Sequence, residues 1–191
     1  MGELIDAPSP EGRILLIEPR RLAAKAAATR LAQSIGEPVG KRVGYSVRNE
    51  QKRSDSTTVE AITDGLFLRR LQSQPDLPGV AIVIFDEFHE RRRDSDVALA
   101  LLREARQLLR PDLKLLLMSA TLQLESLAAQ FEGADTLTSQ GRAFPVETRH
   151  SPARQQERLE THVLRVIEEE VSELEHNRHA EEAPPGVLVF L

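Results

Sequence analysis

The chain has 191 residues, is 40% hydrophobic and 29% charged, carries a formal net charge of −5 and contains no cysteine. That length suits one α/β domain with a full core and a small appendage, and the absence of cysteine excludes disulfides and thiolate metal sites. The acidic balance means that any nucleic-acid contact comes from local basic patches, and one Tyr, six Phe and no Trp leave little for base-stacking platforms.

Residues 1–12 are polar and Pro-rich and read as a loop. No apolar run reaches membrane-spanning length and no signal-peptide pattern opens the chain, so a cytoplasmic location is the default expectation. Arg13-Ile-Leu-Leu-Ile-Glu18 reads as a strand stopped by Pro19. The Ala-rich stretch from Arg20 follows with high helix propensity. In it Leu22, Ala26 and Arg30 keep a helical period, and Gly36 and Pro38 end it. Val43-Gly-Tyr-Ser-Val-Arg48 reads as a short strand followed by a basic loop. Thr57-Thr-Val-Glu-Ala-Ile-Thr63 has the β-branched content of another strand. Asp64-Gly65 then turns the chain, and a helix starts at Leu66.

Val80-Ala-Ile-Val-Ile-Phe85 is apolar throughout and predicts a strand buried on both faces. It runs directly into Asp86-Glu87-Phe88-His89-Glu90-Arg91. Adjacent carboxylates repel, so a reason to place them together at a strand end is a hard cation shared with substrate phosphates. A solvated acidic turn is the ordinary alternative. Asp94-Ser-Asp predicts a helix cap, with Val97, Leu101, Ala105 and Leu108 at helical spacing. A strand ending at Met118 leads to Ser119-Ala120-Thr121, and a helix is expected over residues 124–131. Strand and helix alternate throughout, which predicts a parallel α/β sheet. Beyond Phe144-Pro-Val-Glu147, a polar helix is expected from Pro152 to about Glu175, with Val163, Val166, Ile167 and Val171 on one face. Gly186-Val-Leu-Val-Phe-Leu191 reads as the first strand of a further domain.

Four pieces thus stand at strand ends: Glu18-Pro-Arg-Arg21, Thr63-Asp-Gly65, Asp86-Glu-Phe-His89 and Ser119-Ala-Thr121. Each alone also reads as a helix start, turn or cap. In this order the set resembles the first RecA-like domain of superfamily 2 helicases. Within them it is most similar to the DEAH-box group of the bacterial HrpB type, whose fold is a P-loop NTPase sheet flanked by helices. The resemblance covers residues 12–150 most strongly. It implies a helicase domain over 1–150, and a linker helix and first strand of a second RecA-like domain over 151–191. ATP and Mg²⁺ are the cofactors it implies, with RNA and the remainder of a helicase chain as partners. Position by position, it implies that Asp86 binds Mg²⁺ beside the phosphates and that Glu87 activates the hydrolytic water. His89 would contact the γ-phosphate region or the second domain. Pro19, Arg20 and Arg21, with Thr63, Asp64 and Gly65, would grip the nucleic-acid backbone. Ser119, Ala120 and Thr121 would couple the nucleotide site to strand separation.

One departure stands out. No G-x-x-x-x-G-K-[ST] phosphate loop occurs anywhere in the chain. In the family it lies upstream of the strand that is here Ile14 to Ile17, so the chain is expected to be a partial piece, inactive alone, with an incomplete sheet. His150, His162, His176 and His179 read as solvated. Arg91-Arg92-Arg93 reads as a solvated turn or an interdomain ionic contact.

Overall fold

The structure is a computed structural model that describes residues 12–120, 127–131, 133–139, 148–176 and 187–189. Two compact units divide the chain, Met1–Leu137 and Thr138–Leu191. In the first, β1 (Arg13–Glu18), β2 (Val43–Val47), β3 (Glu50–Lys52), β4 (Val59–Thr63), β5 (Val80–Phe85) and β6 (Lys114–Leu117) form one sheet. The order is β3-β2-β4-β1-β5-β6. All pairings are parallel except β2 with β3, which is an antiparallel hairpin. The expected basic loop after Val47 therefore contains a short strand, β3, and the sheet is mixed. Gly44 makes the hairpin possible, because a Cβ there would lie 2.6 Å from the Lys52 carbonyl oxygen.

β1 sits between β4 and β5, and its apolar run is sealed on both faces. Leu15 and Ile17 join Ile62, Val83 and Phe85 in one core. Ile14 and Leu16 join Val59, Ala61 and Ile84 in the other. Period-two alternation assigns successive residues to opposite faces, so a continuous apolar run is what two buried faces require. The first core is covered by α2 (Asp64–Ser73) and α3 (Arg93–Leu108). The second is covered by α1 (Arg21–Ser34).

Helix faces depart from the sequence reading. The buried stripe of α1 is Ala24, Ala28 and Ala32, and Leu22 is 80% exposed. The small alanines let the helix lie close to the sheet, so propensity hid the packing face. In α3 the core face is Ala98, Leu99, Leu102 and Ala105, while Val97 and Leu108 are exposed. The helix begins at Arg93, earlier than the Asp-Ser-Asp cap, and Arg92 at its N-cap makes no side-chain cap bond. Asp64 and Gly65 form the first turn of α2 and not a separate turn.

Of the helix expected at 124–131, residues 121–126 lie outside the described residues, and Leu127 and Ala128 are helical. In the second unit, α4 spans Leu159–His176 and starts later than the expected Pro152. Its start is fixed by Glu157, which accepts the Arg154 N–H at 2.7 Å and the Arg165 guanidinium at 3.1 Å. These bonds hold the Glu157 carboxyl at about 2. His162 packs into that cluster, 2.9 Å from Arg165, and is not solvated as expected. Phe144 to Glu147 lies outside the described residues, as do Gly186, Phe190 and Leu191 of the expected last strand.

One buried charge ties the first unit together. Glu60, on β4, is 0% exposed. Arg70 of α2 grips it with two bonds of 3.0 and 3.1 Å, and the Ser46 hydroxyl of β2 donates at 2.5 Å. Burial pushes the Glu60 carboxyl up, but the Arg70 and Ser46 bonds outweigh it and hold the group below the usual carboxylate range. A lowered folded pKa adds stability above the unfolded carboxylate pKa, and that stability is lost as pH falls through the folded value. Arg70→Ala leaves the carboxylate buried and uncompensated. The expected loss at pH 8 is about 3 kcal/mol in urea denaturation, shrinking in acid where Glu60 can protonate. A loss well under 1 kcal/mol at pH 8 would contradict it.

Candidate functional site

Register decides where the chemistry gathers. Glu18 pairs with Thr63, Ile17 with Phe85, and Phe85 with Leu117. Four parallel strands therefore end level with one another, and the segments leaving them lie along one rim. The Asp86 N–H donates to the Ile17 carbonyl at 2.9 Å, and the Phe88 N–H to the Met118 carbonyl at 3.0 Å. Ligands of open α/β sheets bind at such a rim.

Phe88 fixes the acidic segment. It is 5% exposed and stacks edge-on against Phe85, which stacks in turn against Phe67, with centroids 5.9 and 5.7 Å apart. With Phe88 pulled into the core, the chain must reverse sharply between strand and anchor. Glu87 does so at φ 50°, in the left-handed region. A non-glycine residue there is strained. The turn leaves Asp86 half-buried and Glu87 exposed. The Glu87 N–H donates to Asp86 Oδ1 at 2.8 Å.

Three contacts join the neighbouring segments to this turn. Arg20 reaches Glu90 at 3.0 Å. Arg92 Nε meets Asp64 Oδ2 at 2.7 Å, with Ser95 Oγ 3.4 Å from the same oxygen. His89 Nδ1 accepts the Ala120 N–H at 3.3 Å and lies 3.3 Å from Glu87 Oε2. One nitrogen cannot serve both. The neutral ring accepts from Ala120, and only a proton on Nδ1 could turn it toward Glu87. We assign the Ala120 bond, because its donor direction is fixed by the backbone.

The expected site residues are placed as follows. Asp86, Glu87, His89, Ser119 and Ala120 share the β5–β6 part of the rim. Pro19, Arg20 and Arg21 follow β1, with both arginines exposed and Pro19 buried; Thr63, Asp64 and Gly65 follow β4. Thr121 lies outside the described residues. Asp64 is 4% exposed, and its carboxylate is committed to Arg92 and to the Gly65 N–H at 2.7 Å. Arg92 is thus tied to the turn after β4 and is not simply a solvated turn residue.

The sequence reading gave no role to Glu18. A carboxylate closing an otherwise apolar strand was its signal. It is 4% exposed. Burial, then the negative charges of Asp86 and Glu87, push its carboxyl up to about 7. Acid groups that raise a neighbour this way mark a place where a cation is welcome. Oxygen donors suit Mg²⁺, which takes one or two carboxylates together with substrate phosphates. No group of three His, Asp or Glu able to hold a metal by itself occurs among the described residues. The rim therefore offers oxygen donors at Asp86 and Glu87 that could take a cation arriving with phosphate oxygens.

Residues 2–129 match the DEAD/DEAH box helicase family. The chain is 47% identical over 150 residues to the ATP-dependent RNA helicase HrpB of Escherichia coli (strain K12), covering 78% of this chain and 18% of that protein. The crystal structure of the Escherichia coli DEAH/RHA helicase HrpB matches with a TM-score of 0.83 at 43% identity, over 90% of this chain and 22% of that one. That of the E. coli DExH-box NTPase HrpB matches with a TM-score of 0.75 at 41% identity, over 93% of this chain and 21% of that one. The chain thus spans about a fifth of these relatives.

A carboxyl raised in the folded state stabilises below its unfolded pKa, and that stability is lost as pH rises through the folded value. Replacing Glu18 with Gln removes the ionised form. Glu18→Gln is expected to stabilise the chain by about 2 kcal/mol at pH 8 and to change little at pH 4. Asp86→Asn should lower the Glu18 midpoint in a carboxyl NMR titration, and an unmoved midpoint would contradict the coupling.

Proposed function

The chain belongs to the DEAD/DEAH box helicase family, and from that premise we propose that it is the first RecA-like part of an ATP-dependent RNA helicase. Residues 1–150 form that part in this reading, and residues 151–191 lead into a second RecA-like domain. The observation that carries the reading is the common rim. Glu18, Thr63 and Phe85 end level, so the acidic turn and the two basic or polar segments face one side of the sheet.

Mg²⁺ bound with ATP would supply neutralisation of the phosphate charge. Asp86 would hold that cation, with Oδ1 already fixed by the Glu87 amide. Glu87 accepts the proton of the attacking water at its carboxylate, and its strained turn presents that carboxylate to solvent. His89, bonded to the Ala120 amide, ties this turn to Ser119-Ala120-Thr121, the coupling segment. Arg20 and Arg21 contact RNA phosphates as guanidiniums do, without reading sequence. From the next segment Thr63 and Gly65 make the backbone contact. Asp64 positions them through Arg92 and does not present its charge to an anionic strand. The residues that cradle the phosphates come from outside this stretch, since no phosphate loop lies within it. We place the protein in the cytoplasm; no helix among the described residues is long and apolar enough to cross a membrane.

A second reading, favoured by the exposed Arg20 and Arg21 at the rim, is a non-catalytic remnant that binds nucleic acid without ATP. One experiment separates the two. In the polypeptide extended to carry a phosphate loop and the second domain, Glu87→Gln is expected to keep ATP binding and lose RNA-stimulated turnover by at least ~10²-fold. Turnover retained in the Gln variant would remove Glu87 from its role. RNA binding with no turnover in the unmutated protein would favour the remnant.

A further inference from the structure

The opposite pole of the sheet carries a second charged feature, which the helicase reading does not use. Arg13 opens β1 and Val80 opens β5, and the two are paired at the amino ends of their strands. Beside them lies a pocket of about 230 Å³, lined by Arg13, Arg53, Arg70 and Gln74 over an apolar floor that includes Leu77 and Val80. Arg70 is locked in place by its two bonds to Glu60. Arg53 Nε lies 3.7 Å from the same carboxylate. Arg13 makes no side-chain hydrogen bond or ion pair among the described residues. Arg53 and Arg70 therefore share one carboxylate, part of which the Ser46 hydroxyl already uses, and Arg13 adds a third guanidinium to the pocket.

Such a surplus is unusual in a chain of net charge −5. Like charges that share one pocket raise its potential, and a partly desolvated site screens them less than open water does. Guanidinium groups present forked N–H donors matched to the oxygens of a phosphate. The volume sets the size of the guest. Small-molecule sites typically begin at about 300 Å³, so a pocket of about 230 Å³ suits an ion-sized head group. We propose that the Arg13–Arg53–Arg70 pocket is a binding site for a phosphate group, either free phosphate or a phosphate monoester, separate from the acidic rim at the other end of the strands.

The test uses the 191-residue chain. Inorganic phosphate and O-phosphoserine are titrated at constant ionic strength against chloride, and amide shifts near Arg13, Gln74 and Val80 are followed by NMR. Saturable shifts are expected with a Kd on the order of 1 mM, with chloride inert. Tighter binding of O-phosphoserine would identify a monoester as the guest, and tighter binding of inorganic phosphate would identify the free ion. Arg13→Gln and Arg53→Gln should each weaken binding by about 10-fold or more, and Arg13→Lys should weaken it less. Arg70 is left intact because it neutralises Glu60. Either Gln variant with a native spectrum and unchanged affinity would overturn the proposal, as would shifts that chloride reproduces. If Arg13→Gln does not fold, Arg53→Gln decides alone.

Discussion

Parallel register is the constraint on which everything else rests. β1 is held between β4 and β5 by main-chain bonds, and its side chains alternate between two separate cores. A slip by one residue would send Leu15 and Ile17 to the wrong face and Leu16 to the other. The cost of exposing or mismatching that many apolar side chains, each worth ~1.5–3 kcal/mol, leaves one register available. Once it is set, the strands must end together. The chemistry at the rim is then a consequence of how the core packs.

Short polar links hold the segments that leave this rim. The Arg20–Glu90 pair is exposed and screened, so it orients more than it stabilises. The Asp64–Arg92 pair is different, because its carboxylate is buried and hydrogen-bonded on both oxygens. Removing either partner would strand a charge. Through these links the basic segment after β1, the turn after β4 and the acidic turn after β5 cannot move independently. In the proposed helicase reading, such connections would pass changes at the acidic turn to the segments after β1 and β4. Glu18 sits beneath the acidic turn and reports its field: three carboxyl groups converge there, and burial with the charges of Asp86 and Glu87 pushes the Glu18 carboxyl up to about 7.

Much of this was legible in residue order. The fully apolar run from Val80 to Phe85 marked β5, and the Asp-Glu pair after it marked the rim. The strand-helix alternation gave the parallel sheet. Less was visible where packing overrides local pattern. The alanine face of α1 could not be told from its propensity, because alanine serves both. β3 carries Glu, Gln and Lys with every residue exposed, so nothing apolar announces it, and only pairing to β2 makes it a strand. Arg92 was one of three adjacent arginines, and its partner lies 28 positions away in the chain. Long-range ion pairs of that kind leave no periodic trace. Glu18 and Glu60 both stand as charges on apolar strands, a signal that did not by itself say which is paired with Arg70 and which is pushed up by burial and its acidic neighbours.

The central claim is that the level strand ends gather Asp86 and Glu87 into a place for a divalent cation. The most direct measurement is paramagnetic line broadening of the 191-residue chain with Mn²⁺ as the probe. The amide signals of Asp86, Glu87 and Phe88 should broaden at the lowest Mn²⁺ concentration, with Ala120 close behind, and Asp86→Asn should abolish that order. Broadening that begins elsewhere, at Asp94 and Asp96 or along the glutamates of α4, and that Asp86→Asn leaves unchanged, would contradict the account.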